Sequence, residues 1–495
     1  MFESAELGHT VDKKTFESEA ARLRAALLEA QHQLVESAKF PVVVLINGMD
    51  GAGRGETIHV LNEWMDPRFV QTHAFNIPTE EERERPFMWR FWRALPPKGR
   101  VGILFGSWYS ELVHLMMGGG RDEEEEADLR AAAINRFERM LTDEGALVVK
   151  FWFHLSKQGQ HDRLKELEGD PQTKWRVTKE DWKRYKEYSR FRQVAETILR
   201  NTSKANSPWY IIDGSDARFR SLTVAEILLE AIQQRLQRPG GSRRVAEAPI
   251  FHSALDRRNV LTELDLEQTL SKARYAKELR AYQERLGQLM RSPAFASRAV
   301  VAVFEGNDAA GKGGAIRRIT QAVDARHFQV VPIAAPTEEE RAQPYLWRFW
   351  RHLPRTGRLT IFDRSWYGRV LVERVEGFAA EADWMRAYAE INDFEDQLIR
   401  HGIIVVKFWL AISPEEQLAR FKEREAIEHK RFKITAEDWR NRDKWDAYET
   451  AVCDMVDRTS TEIAPWTLVE ANNKRFARVK VLKTLVKRLE AALKA

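Results

Sequence analysis

"VVAVFEGNDAAGKGG", residues 300–314, joins a short apolar run to a glycine-rich loop, and "VVVLINGMDGAGRGE", residues 42–56, repeats the pattern earlier in the chain. In the later copy, four residues separate Gly306 from Gly311 and Lys312, which is the spacing of a phosphate-binding loop (P-loop). The glycines let backbone N–H groups surround an anion, and the lysine neutralises a transferring phosphoryl group. We therefore predict a phosphate site formed by Gly306, Ala310, Gly311, Lys312 and Gly313.

The last position of this loop is unusual, because Gly313 stands where Ser or Thr commonly supplies a hydroxyl to Mg²⁺. Another ligand must replace that oxygen. Asp308 lies inside the loop and Asp363 ends the apolar run "LTIFD", and carboxylates are ligands that Mg²⁺ prefers. We predict both as metal ligands, with Mn²⁺ as a substitute metal. The alternative for Asp363 is a helix cap or an ion pair with Arg364.

The two loops belong to a tandem duplication. At an offset of 258 residues, "PTEEERERPFMWRFWRALPPKGR" (78–100) matches "PTEEERAQPYLWRFWRHLPRTGR" (336–358), with 16 of 23 positions identical. After the loss of one residue, "VVKFW" (148–152) matches "VVKFW" (405–409). Between the halves lies "RPGGSRR", whose Pro, Gly and Ser content is typical of a linker. We predict domains at 1–237 and 252–495 and a linker at 238–251.

Within each half, short apolar runs alternate with longer amphipathic stretches, which predicts an α/β fold with a mostly parallel sheet flanked by helices. In the second half we predict strands near Val300–Phe304, Leu359–Phe362, Ile403–Phe408 and Trp466–Val469. Helical stretches at Phe16–Ser37 and Asp265–Met290 precede the first strand of each half, and the acidic run Glu123–Glu126 is predicted as a solvated loop or a helix start.

The first half lacks several of the candidate residues. Its residues at the equivalent positions are Arg54 for Lys312, Phe105 for Asp363, Gly106 for Arg364, Glu111 for Arg369 and Leu115 for Glu373. Phenylalanine cannot bind a metal, and a planar guanidinium does not replace a compact ammonium in a glycine cradle. We therefore predict that residues 1–237 form a degenerate, inactive copy and that residues 252–495 form the catalytic domain.

A basic segment follows the third predicted strand of the second half. Arg420 and Arg424 are four residues apart and share a helical face, and Lys430, Arg431 and Lys433 follow closely. Such a segment can close over a phosphoryl group as a lid, because its cations stabilise the developing charge and closure excludes water. The alternative is a solvated helix face.

The motif "LWRFWR" (346–351) recurs in the degenerate half, so we assign its tryptophans to packing. Arg348 within it is equally compatible with a phosphate contact and with a surface ion pair.

Composition limits the class of protein. The longest apolar runs are strand-sized, which argues against a membrane segment, and one cysteine, Cys453, excludes an internal disulfide and favours the cytoplasm. The net charge of +5 results from 79 basic and 74 acidic residues, which is weak evidence for a nucleic-acid partner. We expect no nucleic-acid partner and no membrane partner. A homo-oligomer is compatible with the duplication.

The set "GNDAAGKGG", "PTEEERAQPYLWRFWRHLPRTGR", "FDRSWYGRVLVERVEGF" and "RFKIT" followed by "EDW" resembles the polyphosphate kinase 2 family, its fused two-domain branch in particular. The resemblance implies tandem P-loop kinase-like domains with a helical lid, inorganic polyphosphate as phosphoryl donor, Mg²⁺, and phosphorylation of AMP to ADP by the C-terminal domain. By this resemblance, catalytic roles are expected for Asp308, Lys312, Asp363 and Arg364. Phosphate binding is expected for Arg369 and the lid cations, and nucleotide binding for Arg348 and Glu373.

The residues by themselves predict only a phosphoryl-transferring P-loop kinase. Polyphosphate-dependent phosphorylation of ADP, GMP or GDP and an ATP-dependent nucleotide kinase stay open as alternatives. A basic scaffold that binds polyphosphate or nucleic acid is the non-enzymatic alternative, but it would not need both Lys312 and Asp363.

Overall fold

A computed structural model describes residues 1–237, 259–428 and 434–494, which form two compact units. The first unit consists of Met1–Pro78, residues 90–237 and Thr337–Trp347. The second consists of Thr79–Trp89 and, among the described residues, 259–336 and 348–494. Each unit thus contains one short segment from the other half of the repeat: Thr337–Trp347 in the first unit and Thr79–Trp89 in the second. The predicted linker at 238–251 lies outside the described residues, and the predicted domain bounds stay a prediction.

Ten strands and twenty α-helices occur in the described part of the chain. The strands are β1 (Val42–Gly48), β2 (Val70–Ala74), β3 (Val101–Phe105), β4 (Leu147–His154), β5 (Trp209–Asp213), β6 (Ala299–Gly306), β7 (Phe328–Pro332), β8 (Leu359–Asp363), β9 (Ile403–Ala411) and β10 (Trp466–Glu470).

The helices up to residue 237 are α1 (Lys13–Ser37), α2 (Arg54–Trp64), α3 (Glu80–Arg83), α4 (Trp89–Arg93), α5 (Tyr109–Gly118), α6 (Arg121–Asp143), α7 (Lys157–Gly169), α8 (Lys179–Lys186), α9 (Tyr188–Thr202) and α10 (Ala217–Gln237). Those after it are α11 (Lys272–Met290), α12 (Lys312–Thr320), α13 (Glu338–Arg341), α14 (Trp347–Trp350), α15 (Val372–Val375), α16 (Glu381–Arg400), α17 (Pro414–Ala426), α18 (Ala436–Asp443), α19 (Trp445–Thr459) and α20 (Lys474–Ala492).

Each unit has one five-stranded sheet, and every strand pair in it is parallel. The order is β2-β3-β1-β4-β5 in the first unit and β7-β8-β6-β9-β10 in the second. The strand before each glycine-rich loop, β1 or β6, is therefore central, and the chain crosses from one side of it to the other. In open parallel sheets, ligands bind outside the carboxyl ends of the strands at this reversal, so the fold places both loops at a binding edge.

Burial on both faces explains why the central strands are mostly apolar, with Glu305 of β6 and Asn47 of β1 as buried polar exceptions. All of β6 except Gly306 is buried, as is all of β1 except Gly48. In the second unit α11, α12 and α20 cover one face of the sheet through a core that includes Leu286, Ile319 and Leu485. On the other face Trp366 packs edge-on against Phe394 of α16, at 4.9 Å between ring centroids. Helices on both faces are the rule for parallel sheets.

The helices that follow β9 begin at capping side chains. The hydroxyl of Ser413 accepts from the backbone N–H of Glu416 at the start of α17. At the start of α18, Thr435 and Asp438 form a reciprocal capping box. These caps satisfy backbone N–H groups that a helix leaves unpaired in its first turn, so they determine where the two helices begin.

The structure confirms the four strands predicted in the second half and adds the fifth, β7. Most of this edge strand is exposed, so it lacks the continuous apolar run used to find the others. The helix predicted over Asp265–Met290 begins only at Lys272, because Ser271 caps it, and the earlier bound was wrong. The run Glu123–Glu126 lies at the start of α6, as the helix-start alternative predicted.

Among the described helices, none combines the length and the apolar character needed to cross a membrane.

Candidate active site

The P-loop of the second unit lies between β6 and α12, as predicted, and its backbone explains its glycines. Gly306 has φ +148°, and a Cβ atom there would lie 2.5 Å from the carbonyl oxygen of Leu410. Gly311 has φ +105° and is the N-cap of α12. Both positions need a residue without a side chain, because a left-handed backbone or a close approach of two chains excludes Cβ. The glycine spacing is therefore a requirement of the loop geometry.

Lys312 turns back over its own loop. Its Nζ atom donates to the carbonyl oxygen of Gly306 at 2.7 Å and, at 3.4 Å, to that of Asn307. The ammonium is thus held at the loop by two neutral acceptors. A phosphoryl oxygen is a stronger acceptor because it is charged, so a bound phosphate can take over these hydrogen bonds.

Asp308 and Arg364 lie beside Lys312. The Nη2 atom of Arg364 lies 3.3 Å from Oδ1 of Asp308, and the amide of Asn441 in α18 donates to Oδ2 at 2.8 Å. Arg364 has φ +64°, a left-handed conformation directly after β8 that is costly for a residue with a side chain. The predicted catalytic residues Asp308, Lys312 and Arg364 therefore line one cavity.

Asp363 ends β8 opposite Phe304 in the register of the central strand, so it lies at the same sheet edge as the P-loop. Its carboxylate has no hydrogen-bond or ion-pair partner within the described part of the chain. In that part, no group of three or more His, Cys, Asp or Glu side chains is arranged to hold a metal ion. Mg²⁺ usually takes one or two carboxylates together with waters and substrate phosphates, so the assignment of Asp308 and Asp363 as its ligands stays a prediction.

Glu305 is a buried carboxyl group behind the loop, next to the Lys312 side of the cavity. It accepts a hydrogen bond from the hydroxyl of Ser365 at 2.8 Å. Burial raises the pKa of Glu305, and the nearby charge of Lys312 opposes that rise. The equivalent residue of the first unit is Asn47, which forms a hydrogen bond with Ser107 at 3.1 Å and carries no charge.

Arg369 and Glu373, predicted for phosphate and nucleotide binding, form an ion pair at 2.9 Å. They lie on consecutive short helical segments, Trp366–Arg369 and Val372–Val375. The segments follow directly on Asp363 and Arg364, so one stretch of chain carries four of the predicted residues.

The lid helices α17 and α18 contact the P-loop. Arg420 is 3% exposed and donates to five protein oxygens: Glu416 and the carbonyls of Ala309, Ala310, Ala471 and Asn472. It ties the P-loop to the chain that follows β10, and its predicted phosphate contact stays a prediction. Lys430, Arg431 and Lys433 lie outside the described residues.

The cavity at the site is small. The cavity that contains Asp308, Lys312 and Arg364 has a volume of about 80 Å³ and is also bounded by Asn441 and Tyr448. Cavities that hold ligands of nucleotide size measure roughly 300–1,000 Å³. Since the amide of Asn441 reaches Asp308, α18 forms one wall of this small cavity.

Arg348 has a structural partner that both halves share. Its Nη2 atom donates to the carbonyl oxygen of Ala334 at 3.0 Å, and Arg90 bonds the equivalent carbonyl of Asn76 at 3.1 Å. Because both halves have this bond, we assign to it the positioning of the loop after the second strand. The motif's tryptophans are buried, as the packing assignment predicted; Trp350 is 1% exposed.

The equivalent site of the first unit is neutralised by its own side chains. Nη2 of Arg54 lies 2.6 Å from Oδ1 of Asp50, and Nε of Arg184 lies 2.9 Å from Oδ2 of the same carboxylate. The guanidinium of Arg54 also lies 5.6 Å from the ring centroid of Phe105. Phe105 thus contacts the cation where the second unit has Asp363. The cavity there measures about 750 Å³.

A buried ion pair supports the turn that carries Arg364. Nζ of Lys407 lies 2.7 Å from Oε2 of Glu395 and 2.8 Å from the hydroxyl of Tyr367, while Trp366 donates to Oε1 of Glu395 at 3.1 Å. Burial beside Glu395 raises the pKa of Tyr367 well above its ordinary value. The first unit repeats the pair as Lys150 and Glu138 at 2.7 Å, so the network belongs to the fold and not to catalysis.

Three residues at the site were missed by the sequence analysis: Asn441, Glu305 and Tyr448. The signal for two of them was present in the sequence, because the first half has Arg184 at the position of Asn441 and Asn47 at that of Glu305. Only positions already suspected of chemistry were compared between the halves. Comparing every position that differs in charge would have revealed both.

Comparisons with known proteins agree with this geometry. The family model described as polyphosphate kinase 2 matches residues 10–239 and 269–495. The polyphosphate:AMP phosphotransferase of Pseudomonas aeruginosa is 60% identical over 494 residues, which cover 100% of this chain and 99% of that protein. The ADP-polyphosphate phosphotransferase 2 of Rhizobium meliloti is 40% identical over 215 residues, 43% of this chain and 70% of that protein. A crystal structure assigned as a polyphosphate kinase 2 of Pseudomonas aeruginosa has a TM-score of 0.90 at 57% identity and covers 100% of this chain and 99% of that one.

Proposed function

The chain belongs to the polyphosphate kinase 2 family, and we propose that it transfers the terminal phosphoryl group of inorganic polyphosphate to AMP, giving ADP. The observation that carries the proposal is the second unit's P-loop, where Lys312, Asp308 and Arg364 converge on one cavity. The acceptor assignment is supported by how much of the chain each relative matches. The Pseudomonas aeruginosa relative matches the whole chain and is named for AMP, whereas the Rhizobium meliloti relative matches less than half of it and is named for ADP.

In this reaction an oxygen of the AMP phosphate forms a bond to the terminal phosphorus of polyphosphate. The bond from that phosphorus to its bridging oxygen breaks, and the shortened polyphosphate leaves with the electron pair. Lys312 exchanges its carbonyl acceptors for oxygens of the transferring group, and Arg364 adds a second cation on the Asp308 side of the cavity. Positioning and charge stabilisation by such groups account for most of the catalysis in phosphoryl transfer.

Asp308 and Asp363 are proposed as the protein ligands of Mg²⁺, with Mn²⁺ as a substitute. When bound, the metal would neutralise phosphate charge, which two carboxylates alone cannot do. Arg364 and Asn441 both contact Asp308, so they fix the orientation of one carboxylate. The carboxylate of Asp363 is left for the second ligand position.

The acceptor nucleotide is proposed to bind near Arg369 and Glu373, whose ion pair lies on the chain segment that follows Arg364. The lid opens to admit AMP and closes to exclude water, because water would otherwise compete with the AMP phosphate as acceptor. The first unit is proposed as an inactive structural or regulatory copy, since Arg54 is already paired with Asp50. We place the enzyme in the cytoplasm, where its single cysteine needs no disulfide partner.

The experiment that tests the proposal incubates the purified full chain with AMP and Mg²⁺ and, separately, with polyphosphate or with ATP as donor. We expect ADP from polyphosphate without ATP. ADP formed only in the presence of ATP would replace the proposal with an ATP-dependent kinase. A parallel reaction with ADP, GMP or GDP as acceptor ranks the nucleotides by kcat/KM, and a higher value for any of them than for AMP would overturn the acceptor assignment.

A further inference from the structure

The cavity at the glycine-rich loop of the first unit is much larger than its counterpart in the second unit, although the two are built from equivalent positions. It measures about 750 Å³, against about 80 Å³ for the cavity that contains Lys312. Cavities that bind small molecules typically measure roughly 300–1,000 Å³, so the first unit has room for a ligand of nucleoside size. An inactive copy has no catalytic use for this space.

The two units differ in an ion-pair bridge beside the cavity. In the second unit the carboxylate of Glu376 joins α18 and the residue that follows it, because Nε of Arg440 lies 3.1 Å and Nζ of Lys444 lies 2.9 Å from its Oε2 atom. In the first unit Gly118 stands in place of Glu376, and Glu187 stands in place of Lys444. Glycine has no side chain to form a bridge, so the described residues at these positions line the cavity of the first unit instead.

Much of the wall of the larger cavity is apolar or aromatic. The residues that form this part come from α5, β4 and α9, and they are Val113, Leu115, Met117, Trp152, Tyr188 and Phe191. The ring of Phe191 lies 6.0 Å from that of Trp152 at an interplanar angle of 27°, and Phe191 is partly exposed. Leu115 replaces Glu373 of the second unit, so a charged position has become apolar. A planar ring packs well on such a wall, because aromatic side chains offer large flat faces.

The charges of the lining disfavour a phosphate. Two arginines and four carboxylates line the cavity, those of Arg54, Arg184, Asp50, Glu123, Glu180 and Glu187. Arg54 is paired with Asp50, and Arg184 is paired with both Asp50 and Asp181. Phe105 stands where Asp363 is proposed to bind Mg²⁺, so a metal held at that position does not offset the acidic residues. The cavity therefore suits a neutral ligand better than an anion.

The duplication indicates which neutral ligand fits. Aromatic residues occupy three equivalent positions of the two cavities, Trp152, Tyr188 and Phe191 in the first unit and Trp409, Trp445 and Tyr448 in the second. The proposed function gives the second unit a purine nucleotide as acceptor. The first unit keeps the aromatic positions but pairs the cation of its loop, so it retains features that hold a ring and loses those that hold a phosphate.

We propose that the cavity of the first unit binds a neutral purine nucleoside, with the purine between α5 and α9 and the sugar towards Asp50 and Arg184. This inference rests on the proposed function, because the purine is chosen from the acceptor of the second unit. A carboxylate accepts and a guanidinium donates hydrogen bonds, so this end of the cavity can bind sugar hydroxyls. A phosphate at the same end would meet the carboxylate of Asp50. The site binds its ligand without any chemical step.

The test measures binding of adenosine to the full chain by calorimetric titration, without donor and at an AMP concentration that saturates ADP formation. AMP then occupies the acceptor site of the second unit, so adenosine that still binds uses another site. We expect one AMP-resistant adenosine per chain. Leu115→Glu restores the second-unit residue and brings a charge to the apolar wall, and Phe191→Ala removes a ring on which the base stacks. Each variant should weaken this binding by ~10-fold or more.

The matched control is Leu129→Glu, the same change at a residue of α6 that is 49% exposed and does not line the cavity. It should leave adenosine affinity unchanged, and unfolding temperatures show that each variant is folded.

Complete displacement of adenosine by AMP would overturn the site, and so would equal adenosine affinities of the wild-type chain and Leu115→Glu. A loss with Leu129→Glu as large as with Leu115→Glu would overturn it as well, because added negative charge alone would then explain the result. Displacement of the AMP-resistant adenosine by polyphosphate would show an anion site instead. Failure of the proposed function looks different, since the wild-type chain would then form no ADP from polyphosphate, whereas adenosine binding is measured without turnover.

Discussion

The Nη2 atom of Arg54 lies 2.6 Å from Oδ1 of Asp50, so the loop of the first unit carries its own counterion. The equivalent pair in the second unit is not joined in this way, because Lys312 donates to the carbonyl of Gly306 and Asp308 is contacted by Arg364. One loop has a cation available for a phosphoryl group, and the other has a cation that is already paired. This difference gives the most direct test of which half is catalytic.

Lys312→Ala should reduce ADP formation by ~10³-fold or more, because the loop then lacks the cation that meets the transferring group. Arg54→Ala is the matched control and should leave kcat within about 2-fold. Initial rates with AMP and polyphosphate check both variants, alongside their unfolding temperatures. A strong loss with Arg54→Ala at unchanged stability would show that the first loop is a working site.

Asp363→Asn and Asp308→Asn should each lower kcat by at least ~10²-fold, since each removes a charged ligand proposed for Mg²⁺. The control is Asp50→Asn, the same change at the equivalent position of the first unit, for which we expect a near-normal rate. Rates measured over a range of Mg²⁺ concentrations should show that the active-half variants need more metal for half-maximal activity. Near-normal rates for both would remove these carboxylates from the mechanism.

Asn441→Arg should imitate the first unit, where Arg184 lies 2.9 Å from Asp50. A guanidinium beside Asp308 would compete with the metal for that carboxylate, so we expect kcat to fall by ~10-fold or more. Arg184→Asn, the reverse change in the first half, should have little effect on the rate. If Asn441→Arg retains full activity, the contact between α18 and Asp308 does not matter for turnover.

Glu395→Gln should destabilise the second unit by about 3–5 kcal/mol, because it leaves the buried ammonium of Lys407 without its counterion. Glu138→Gln should have a similar effect in the first unit, where Lys150 loses its partner. Thermal unfolding followed by calorimetry measures both. An unfolding temperature equal to that of the wild-type chain for either variant would contradict the stabilising role given to that ion pair.

Cys453 should react slowly with iodoacetamide at pH 8. The thiol is buried, and burial raises its pKa to about 11, so only about a thousandth of it is thiolate at that pH. Since the neutral thiol is favoured in the folded chain, its contribution to stability is complete below the unfolded pKa of about 8.5 and is lost as the pH rises towards 11. Labelling measured by mass spectrometry should be complete only after denaturation. Rapid labelling of the folded chain would show that the thiol is accessible.

The sequence was sufficient for the P-loops, the duplication and four strands of the second half, because each of these leaves a local pattern. Gly306 and Gly311 are required by the loop's own backbone, so their spacing is visible without any tertiary information. The edge strand β7 was missed because its side chains are mostly exposed and follow no apolar pattern. The start of α11 was placed too early because charged residues before Ser271 are as compatible with a helix as those after it.

The site was predicted less completely than the fold. Lys312, Asp308 and Arg364 could be found by motif and by comparison of the halves. Asn441 could not be found by motif, because it comes to Asp308 from a helix 133 residues further along the chain. The phosphate contact of Arg420 stays a prediction, whereas its five protein acceptors, four carbonyls and a carboxylate, come together only in the folded chain. Long-range contacts of this kind leave no periodic signal in the sequence.

The exchange of short segments between the units has a consequence for synthesis on the ribosome. The first unit includes Thr337–Trp347, where the backbone N–H of Lys98 donates to the carbonyl of Ala342 at 2.9 Å and the amide of Gln343 donates to that of Leu95 at 3.2 Å. When residues 1–237 have been translated, these partners do not yet exist. The first unit therefore stays incomplete until about a hundred further residues have been translated. During that time Thr79–Trp89, which belongs to the second unit, has no folded unit to join. A gene cut at the linker would give two chains, each of which lacks a short segment of the compact unit that it mainly forms.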